Sequence, residues 1–194
     1  MSEKLKVIVV EADRDRAMMI VDGLVEDGGC DVEVIGDGAA LARRVADTQP
    51  DVVLIDLDHP DRDAMEELAL ASGPLDRPVA IFSDSADPGV TKAAIEAGIS
   101  AYVVDGLERH RIRPVLDAAM ARFAMFKRMR AELTAAKAAL AERKTIDRAK
   151  GLLMSARGVG EDEAYALLRK TAMNQGRKVA EVAEALVTAA DLLK

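Results

Sequence analysis

Carboxylate and hydroxyl side chains follow several apolar runs of this chain, at points where a ligand-binding edge would form. Glu11 and Asp13 come directly after the first run, Asp56 lies near the end of the third, and Ser83 follows the fourth. Tyr102 lies in the fifth run. Parallel strands bring their carboxyl ends to one edge of a sheet, and α/β folds bind their ligands there. The spacing therefore places the chemistry of the N-terminal half at this edge.

The elements that would position these residues alternate along the N-terminal half. Helical patterns separate five apolar runs rich in Val and Ile, which are Leu5–Val10, Val32–Ile35, Val52–Leu57, Val79–Phe82 and Ala101–Val104. Nearly continuous apolar runs are typical of parallel strands that are covered on both faces. The pattern predicts an α/β doubly wound domain with a five-stranded parallel sheet.

Charge divides the chain at about residue 127. The first 127 residues contain 14 Lys and Arg against 25 Asp and Glu, a net charge of −11, whereas the following residues contain 13 against 9, a net charge of +4. This division indicates that only the C-terminal part approaches a polyanion. Cations neutralise the phosphates of a bound polyanion. The candidate cations are Lys150, Arg169 and Lys170, followed by Arg143, Arg157, Arg177 and Lys178.

A long uninterrupted helix is predicted between the two halves. No Gly or Pro interrupts Val115–Lys150, and apolar residues recur alternately three and four positions apart, which is the heptad spacing of a coiled coil. Such a helix, about 54 Å long, cannot be buried against one small domain, so we expect a homodimer through the coiled coil. The seam contains Ile112, Val115, Ala119, Phe126, Met129, Leu133, Ala136 and Leu140, and Arg122 breaks it.

Three helical patterns with stops at Gly158 and near Gly176 predict an all-α C-terminal domain, with Met154 and Met173 in its core. Short motifs are dispersed along this segment, namely Ala149-Lys150-Gly151, Leu153-Met154, Glu163-Ala164-Tyr165, Leu168-Arg169, Ala172-Met173 and Val182-Ala183. With these motifs the segment resembles the ANTAR module, the RNA-binding output domain of bacterial transcription antiterminators. The resemblance implies that the candidate cations of this part of the chain bind RNA.

The N-terminal half resembles the receiver domain of two-component response regulators. Residues at the strand ends carry this resemblance, namely Asp56, Pro60, Ser83 and Tyr102 with the acidic residues Glu11 and Asp13. The resemblance implies that Asp56 is the candidate phosphoacceptor, that the two acidic residues form a pocket for Mg²⁺, and that the serine and the tyrosine form a switch.

Two departures from the receiver pattern weaken phosphoryl chemistry. Ala12 stands where the resemblance requires a direct Mg²⁺ ligand, and Asp13 would replace that ligand only imperfectly. Asp105 stands where receiver domains have a Lys that pairs with the phosphoryl group, so it adds negative charge where the reaction adds more. We therefore expect a pseudo-receiver that serves as a docking and dimerisation platform, without a cofactor and with at most a weak Mg²⁺ site.

The patterns divide the chain into a receiver-like domain over residues 1–120, a coiled-coil linker helix over 111–142 and an ANTAR domain over 143–194. Within the ANTAR regulators, residues 55–63, 99–107 and 107–123 resemble the antiterminators of nitrate and nitrite assimilation. This resemblance implies that a nitrate-binding sensor protein holds the regulator until nitrate releases it. The regulator would then bind paired hairpins in a leader mRNA and prevent the terminator from forming.

Two alternative functions stay open. One is a regulator that acts on RNA under the control of Asp56 phosphorylation. The other is a DNA-binding response regulator with a helix-turn-helix, although the last helical pattern is mostly Ala and acidic residues and lacks the Arg, Asn and Gln that read bases.

Composition excludes other classes. No complete acid–base or nucleophile set is found, so no enzyme is expected. His59 and His110 are far apart in the sequence, with no Cys or carboxylate at ligand spacing, so no metal site is expected there. The single cysteine, Cys30, and the lack of an apolar leader or an 18-residue apolar stretch predict a cytoplasmic protein without membrane contact.

Overall fold

The computed structural model describes residues 4–26, 29–36, 41–57, 62–84, 86–105 and 107–192. The chain forms two compact units, Met1–Lys127 and Arg128–Lys194, called here the N-terminal unit and the C-terminal unit. Their boundary lies where the charge of the sequence changes sign. The three predicted segments, which overlap along the long helix, stay a prediction, because the boundary between the two units lies inside the predicted linker.

A five-stranded parallel sheet forms the centre of the N-terminal unit, which confirms the predicted fold class. Its strands pair in the order β2-β1-β3-β4-β5. The strands are β1 (Leu5–Val10), β2 (Cys30–Ile35), β3 (Val52–Leu57), β4 (Val79–Ser83) and β5 (Ala101–Val104). In this order, the carboxyl ends of β1, β3 and β4 lie side by side, at the edge that the sequence pattern indicated.

Helices cover both faces of the sheet. They are α1 (Arg14–Val25), α2 (Leu41–Thr48), α3 (Arg62–Ser72), α4 (Pro88–Glu96) and the beginning of α5 (Arg109–Arg157). One apolar cluster joins the sheet to α2, α3 and α4, and a second joins it to α1 and α5. This double cover explains why β3 and β4 consist almost entirely of buried residues.

The long helix α5 is continuous over 49 residues, as the lack of Gly and Pro in its centre predicted. The beginning of the heptad seam has a different role from the one predicted. Ile112 and Ala119 are fully buried in the N-terminal unit, because α5 is the covering helix of one sheet face before it becomes a linker. From Phe126 onward, the large seam residues Met129, Leu133 and Leu140 are exposed in the single chain.

The C-terminal unit contains the end of α5, then α6 (Glu161–Gln175) and α7 (Val179–Asp191). Gly158 and Gly176 both have positive φ at the ends of their helices, which confirms the predicted stops. The described buried residues of this unit are Ala149, Ala164, Leu168, Ala172, Val182 and Ala183. The core prediction for Met173 was wrong, because its side chain is 72% exposed, and Met154 is also exposed.

Among the residues that the structure describes, no helix combines the length and the apolar character that crossing a membrane requires.

Candidate functional sites

Two buried carboxylates lie at the carboxyl edge of the sheet. Glu11 directly follows β1 and Asp56 lies in the neighbouring strand β3, and their exposed fractions are only 8% and 5%. Ionised carboxylates are costly to bury unless a cation or hydrogen-bond donors compensate them. The compensation for this pair comes from a residue that the sequence analysis did not consider.

Arg16 places its guanidinium between these carboxylates. Its Nε donates to Asp56 Oδ2 at 2.8 Å and its Nη2 donates to Asp56 Oδ1 at 2.9 Å, which is the two-pronged geometry of a strong arginine–carboxylate pair. The same Nε lies 3.5 Å from Glu11 Oε2, and Nη1 lies 3.8 Å from Asp84 Oδ2. The guanidinium of Arg16 therefore interacts with three carboxylates, those of Asp56, Glu11 and Asp84.

The first turn of α1 positions Arg16. Asp13 is the N-cap of this helix, and its side chain accepts a hydrogen bond from the Arg16 backbone N–H at 2.8 Å. The backbone N–H of Asp13 in turn donates to Glu11 Oε1 at 2.7 Å. Asp13 is exposed and its carboxylate serves the helix backbone, so it orients Arg16 rather than adding a ligand to the acidic pocket.

The charge balance of this site affects the protonation of Asp56. Burial raises the pKa of Asp56 most strongly, the hydrogen bond with Glu11 raises it further, and Arg16 lowers it, so that the pKa changes from 3.8 to about 7. Two buried carboxylates against one guanidinium leave an excess negative charge. A proton held at Asp56 near neutral pH removes this excess.

The other residues from the receiver pattern lie around the same edge. Ser83 is buried at the end of β4 and pairs in register with Leu57 of β3. Tyr102 is partly buried and packs against the apolar cluster under α3 and α4. Asp105 is exposed with a φ of 48°, and its backbone N–H donates to the Ser83 carbonyl at 3.0 Å. Pro60 and His59 lie outside the described residues.

Mg²⁺, which receiver chemistry implies, does not fit these residues. Ala12 offers no side-chain ligand, Asp13 caps α1, and the Arg16 guanidinium lies against both Glu11 and Asp56. A metal ion would have to displace a cation that is hydrogen-bonded to both oxygens of Asp56. In the described part of the chain, no group of three or more His, Cys, Asp or Glu side chains is placed to hold a metal ion.

Sequence reasoning missed Arg16 although a signal was available. An Asp that can cap a helix, directly after a strand that is followed by an acid, places Arg16 in the first turn of that helix and near the sheet edge, although it does not fix the direction of the side chain. The motifs that carry the receiver resemblance do not include Arg16.

Four of the seven predicted RNA-binding cations line two separate grooves of the C-terminal unit. The first is a shallow groove lined by Arg143, Asp147, Lys150, Gly151, Met154 and Glu161. Lys150 Nζ lies 2.6 Å from Asp147 Oδ1 and 2.6 Å from Glu161 Oε1, and these hydrogen bonds raise the pKa of Lys150, that to Asp147 most. Two acidic side chains therefore pair with the central cation of this groove, which we call the Lys150 groove.

The second group lies along the outer side of α6. Here a groove is lined by Asp162, Tyr165, Ala166, Arg169, Lys170, Met173 and Asn174, and we call it the α6 groove. It shares no lining residue with the Lys150 groove.

The remaining cations lie at helix ends. Arg157 is the last residue of α5 and is exposed. Lys178 is the N-cap of α7, and its backbone N–H donates to Glu181 Oε2 at 3.3 Å. Arg177, beside it, donates through Nη2 to the Glu181 carbonyl at 3.2 Å. Both residues therefore contribute to the turn between α6 and α7.

Comparisons with known proteins agree with this division of the chain. The response regulator receiver domain matches residues 7–117, and the ANTAR domain matches residues 134–187. The receiver domain of the response regulator NarL from Mycobacterium tuberculosis is 28% identical, with a TM-score of 0.50, over 60% of this chain and 97% of that one.

Two full-length regulators are also similar to this chain, one over nearly all of it and one over a short stretch. The transcriptional regulatory protein PdtaR from Mycobacterium tuberculosis is 25% identical over 182 residues, which is 94% of this chain and 89% of that protein. The nitrate regulatory protein from Klebsiella oxytoca is 44% identical over 57 residues, which is 29% of this chain and 14% of that protein. The chain belongs to the response regulators, as a member that joins a receiver domain to an ANTAR domain.

Proposed function

We propose that this chain is a NasT-like antiterminator that binds a leader mRNA with two adjacent hairpins and prevents its terminator from forming. The observation that carries the proposal is the ANTAR domain over residues 134–187, which lies in the basic part of the chain. Binding that favours one of two competing RNA folds shifts their populations by the difference in binding free energy. No nucleotide hydrolysis and no catalytic residue are required.

The genes under control are those of nitrate and nitrite assimilation. This part of the proposal is supported by the similarity to the nitrate regulatory protein from Klebsiella oxytoca, which is confined to 57 residues, and by the sequence resemblance described above. A nitrate-sensing partner protein sequesters the regulator and releases it when nitrate binds. Control by a partner is favoured over control by phosphorylation because Arg16 is hydrogen-bonded to both oxygens of Asp56, the candidate phosphoacceptor.

A homodimer through α5 suits this function. Two linked ANTAR domains increase the effective concentration of the second domain once the first is bound to one hairpin. The exposed apolar residues from Phe126 to Leu140 supply the seam for such a dimer.

A gel-shift titration tests the proposal. The probe is the leader RNA transcribed upstream of the genes that neighbour this chain's own gene, and the competitor is the duplex DNA of the same sequence. We expect tighter binding to the RNA at moderate salt, with an affinity that falls as salt rises. Equal or tighter binding to the duplex DNA would instead support a DNA-binding regulator.

A further inference from the structure

The C-terminal unit contains one aromatic residue, Tyr165, and its side chain is 43% exposed. The inner side of α6 packs through Ala164, Leu168 and Ala172, which recur every four residues and are buried. Tyr165 is shifted by one residue from this series, so its ring lies on the outer side of the helix.

Tyr165 is accompanied by a second exposed apolar side chain. Met173 lies eight residues later on the same side of α6 and lines the same α6 groove. Ala166 lines the groove as well and leaves space, because its side chain is only a methyl group. Single exposed apolar residues are common on protein surfaces. An aromatic and a methionine that share a groove on an otherwise polar helix form a local apolar surface.

Unpaired polar groups border this apolar surface. In the described part of the chain, the side chains of Arg169, Lys170 and Asn174 make no hydrogen bond or ion pair, in contrast with Lys150, which two carboxylates hold. Arg169 lies one helical turn from both Tyr165 and Met173. The groove therefore combines a ring face, two cations and an amide, with Asp162 as its one acidic residue.

We propose that the α6 groove binds an unpaired base of an RNA loop. The Tyr165 ring stacks on the base, Met173 contacts its other apolar surface, and Asn174 and Arg169 bind its polar edge, while Lys170 neutralises a neighbouring phosphate. Single-stranded RNA is recognised by this combination of stacking on aromatic side chains and hydrogen bonds to base edges. The inference rests on the proposed function, and it assigns base recognition to α6 rather than to the Lys150 groove.

The test compares three variants, each with a single substitution, for binding to the leader RNA. Tyr165→Phe keeps the ring, Tyr165→Leu keeps an apolar side chain without a ring, and Thr171→Ala changes an exposed residue of α6 outside the groove. We expect Tyr165→Phe and Thr171→Ala to bind like the wild type and Tyr165→Leu to bind about tenfold or more weakly. Circular dichroism and thermal denaturation of each full-length variant verify that it is folded.

A second readout locates the contact on the RNA. The base analogue 2-aminopurine is placed at each loop position in turn, and its fluorescence is measured when protein is added. We expect one loop position at which the wild type and Tyr165→Phe change the fluorescence and Tyr165→Leu does not. At that position, an RNA that lacks the base should bind the wild type and Tyr165→Leu equally.

Three results would overturn the inference. Wild-type affinity in Tyr165→Leu would exclude stacking, and equal losses in Tyr165→Phe and Tyr165→Leu would assign the effect to the hydroxyl. Dissociation of a dimer by Tyr165→Leu, measured by sedimentation without RNA, would make the groove a protein interface. A wild-type chain that does not bind the leader RNA at all contradicts the proposed function itself, so the two failures are distinguishable.

Discussion

Arg16 performs at this pocket the charge compensation that a metal ion and a lysine supply in the receiver pattern. A guanidinium is protonated at every pH at which a protein is folded, and it is attached to the chain, so chelators and dilution do not remove it. Its two hydrogen bonds to Asp56 occupy both oxygens of the candidate phosphoacceptor. An attack by Asp56 on a phosphoryl donor would first require that this pair separate.

Substitution of Arg16 tests its structural role. Arg16→Ala leaves two buried carboxylates without their cation, so we expect the free energy of unfolding at neutral pH to fall by about 2 kcal/mol, because the arginine itself is partly exposed. The measurement is urea denaturation followed by circular dichroism. Arg14→Ala, an exposed cation in the same helical turn, is the matched control and should cost little. Equal losses in the two variants would mean that Arg16 does not hold the pocket together.

The protonation of Asp56 predicts a pH dependence of stability. Its pKa is raised in the folded chain from 3.8 to about 7, so the folded state binds the proton more tightly than the unfolded state. This contribution to stability is complete below about pH 4 and is lost as the pH rises through about 7. Urea denaturation at several pH values should show wild-type stability falling over this range relative to Asp56→Asn. If the stability of the wild type relative to Asp56→Asn instead rose with pH, Asp56 would be ionised in the folded chain and stabilised by Arg16.

At the scale of the elements, the sequence predicted where the strands lie better than it predicted which side of each helix is buried. Residues on β3 and β4 are buried on both sides, so a plain apolar run is sufficient to identify them. A helix face depends on which neighbour covers it. Met173 is apolar and lies beside the buried Ala172, and only the packing of α6 against α7 places it outside. Ile112 belongs to the predicted heptad seam but packs against the sheet, because the pattern does not indicate where α5 stops covering the sheet.

The exposed part of α5 should mediate self-association. Replacing Leu133 and Leu140 with Glu would place charges in the seam of a paired helix, at a cost of about 3 kcal/mol or more for each buried unpaired charge. We expect sedimentation to show a monomer. The control carries the same charges one position along, at Thr134→Glu and Ala141→Glu, outside the heptad seam. An oligomer that survives the seam substitutions would have its interface elsewhere, first of all on the receiver domain.

The ion pairs of Lys150 predict that acidic residues limit RNA binding. A phosphate that binds Lys150 must compete with Asp147 and Glu161, which lie 2.6 Å from its ammonium. Glu161→Gln should therefore tighten binding to the leader RNA by about threefold. Glu163→Gln makes the same charge change in the same helical turn but outside the Lys150 groove, and it should have a smaller effect. Filter binding measures the affinity of each variant for the leader RNA. An equal increase in affinity in the two variants would mean that net charge, and not the ion pair with Lys150, determines the effect.

For the whole molecule, the division of charge and the division into units coincide. The acidic residues concentrate in the unit with the receiver fold, and the basic excess lies in the unit that contains the whole ANTAR match. The sequence predicted Glu11 and Asp56 because strand ends converge at one edge of a parallel sheet. It did not predict their partner, because the direction of the long Arg16 side chain depends on where α1 begins and on the cap at Asp13.

The central claim is that this chain acts on RNA without a phosphoryl signal. Single-round transcription of the leader template with the purified chain measures read-through of the terminator directly. We expect read-through to rise with protein concentration, equally with and without acetyl phosphate, and equally for the wild type and Asp56→Ala. Read-through that does not change, or that rises only with acetyl phosphate and only when Asp56 is present, would contradict this account.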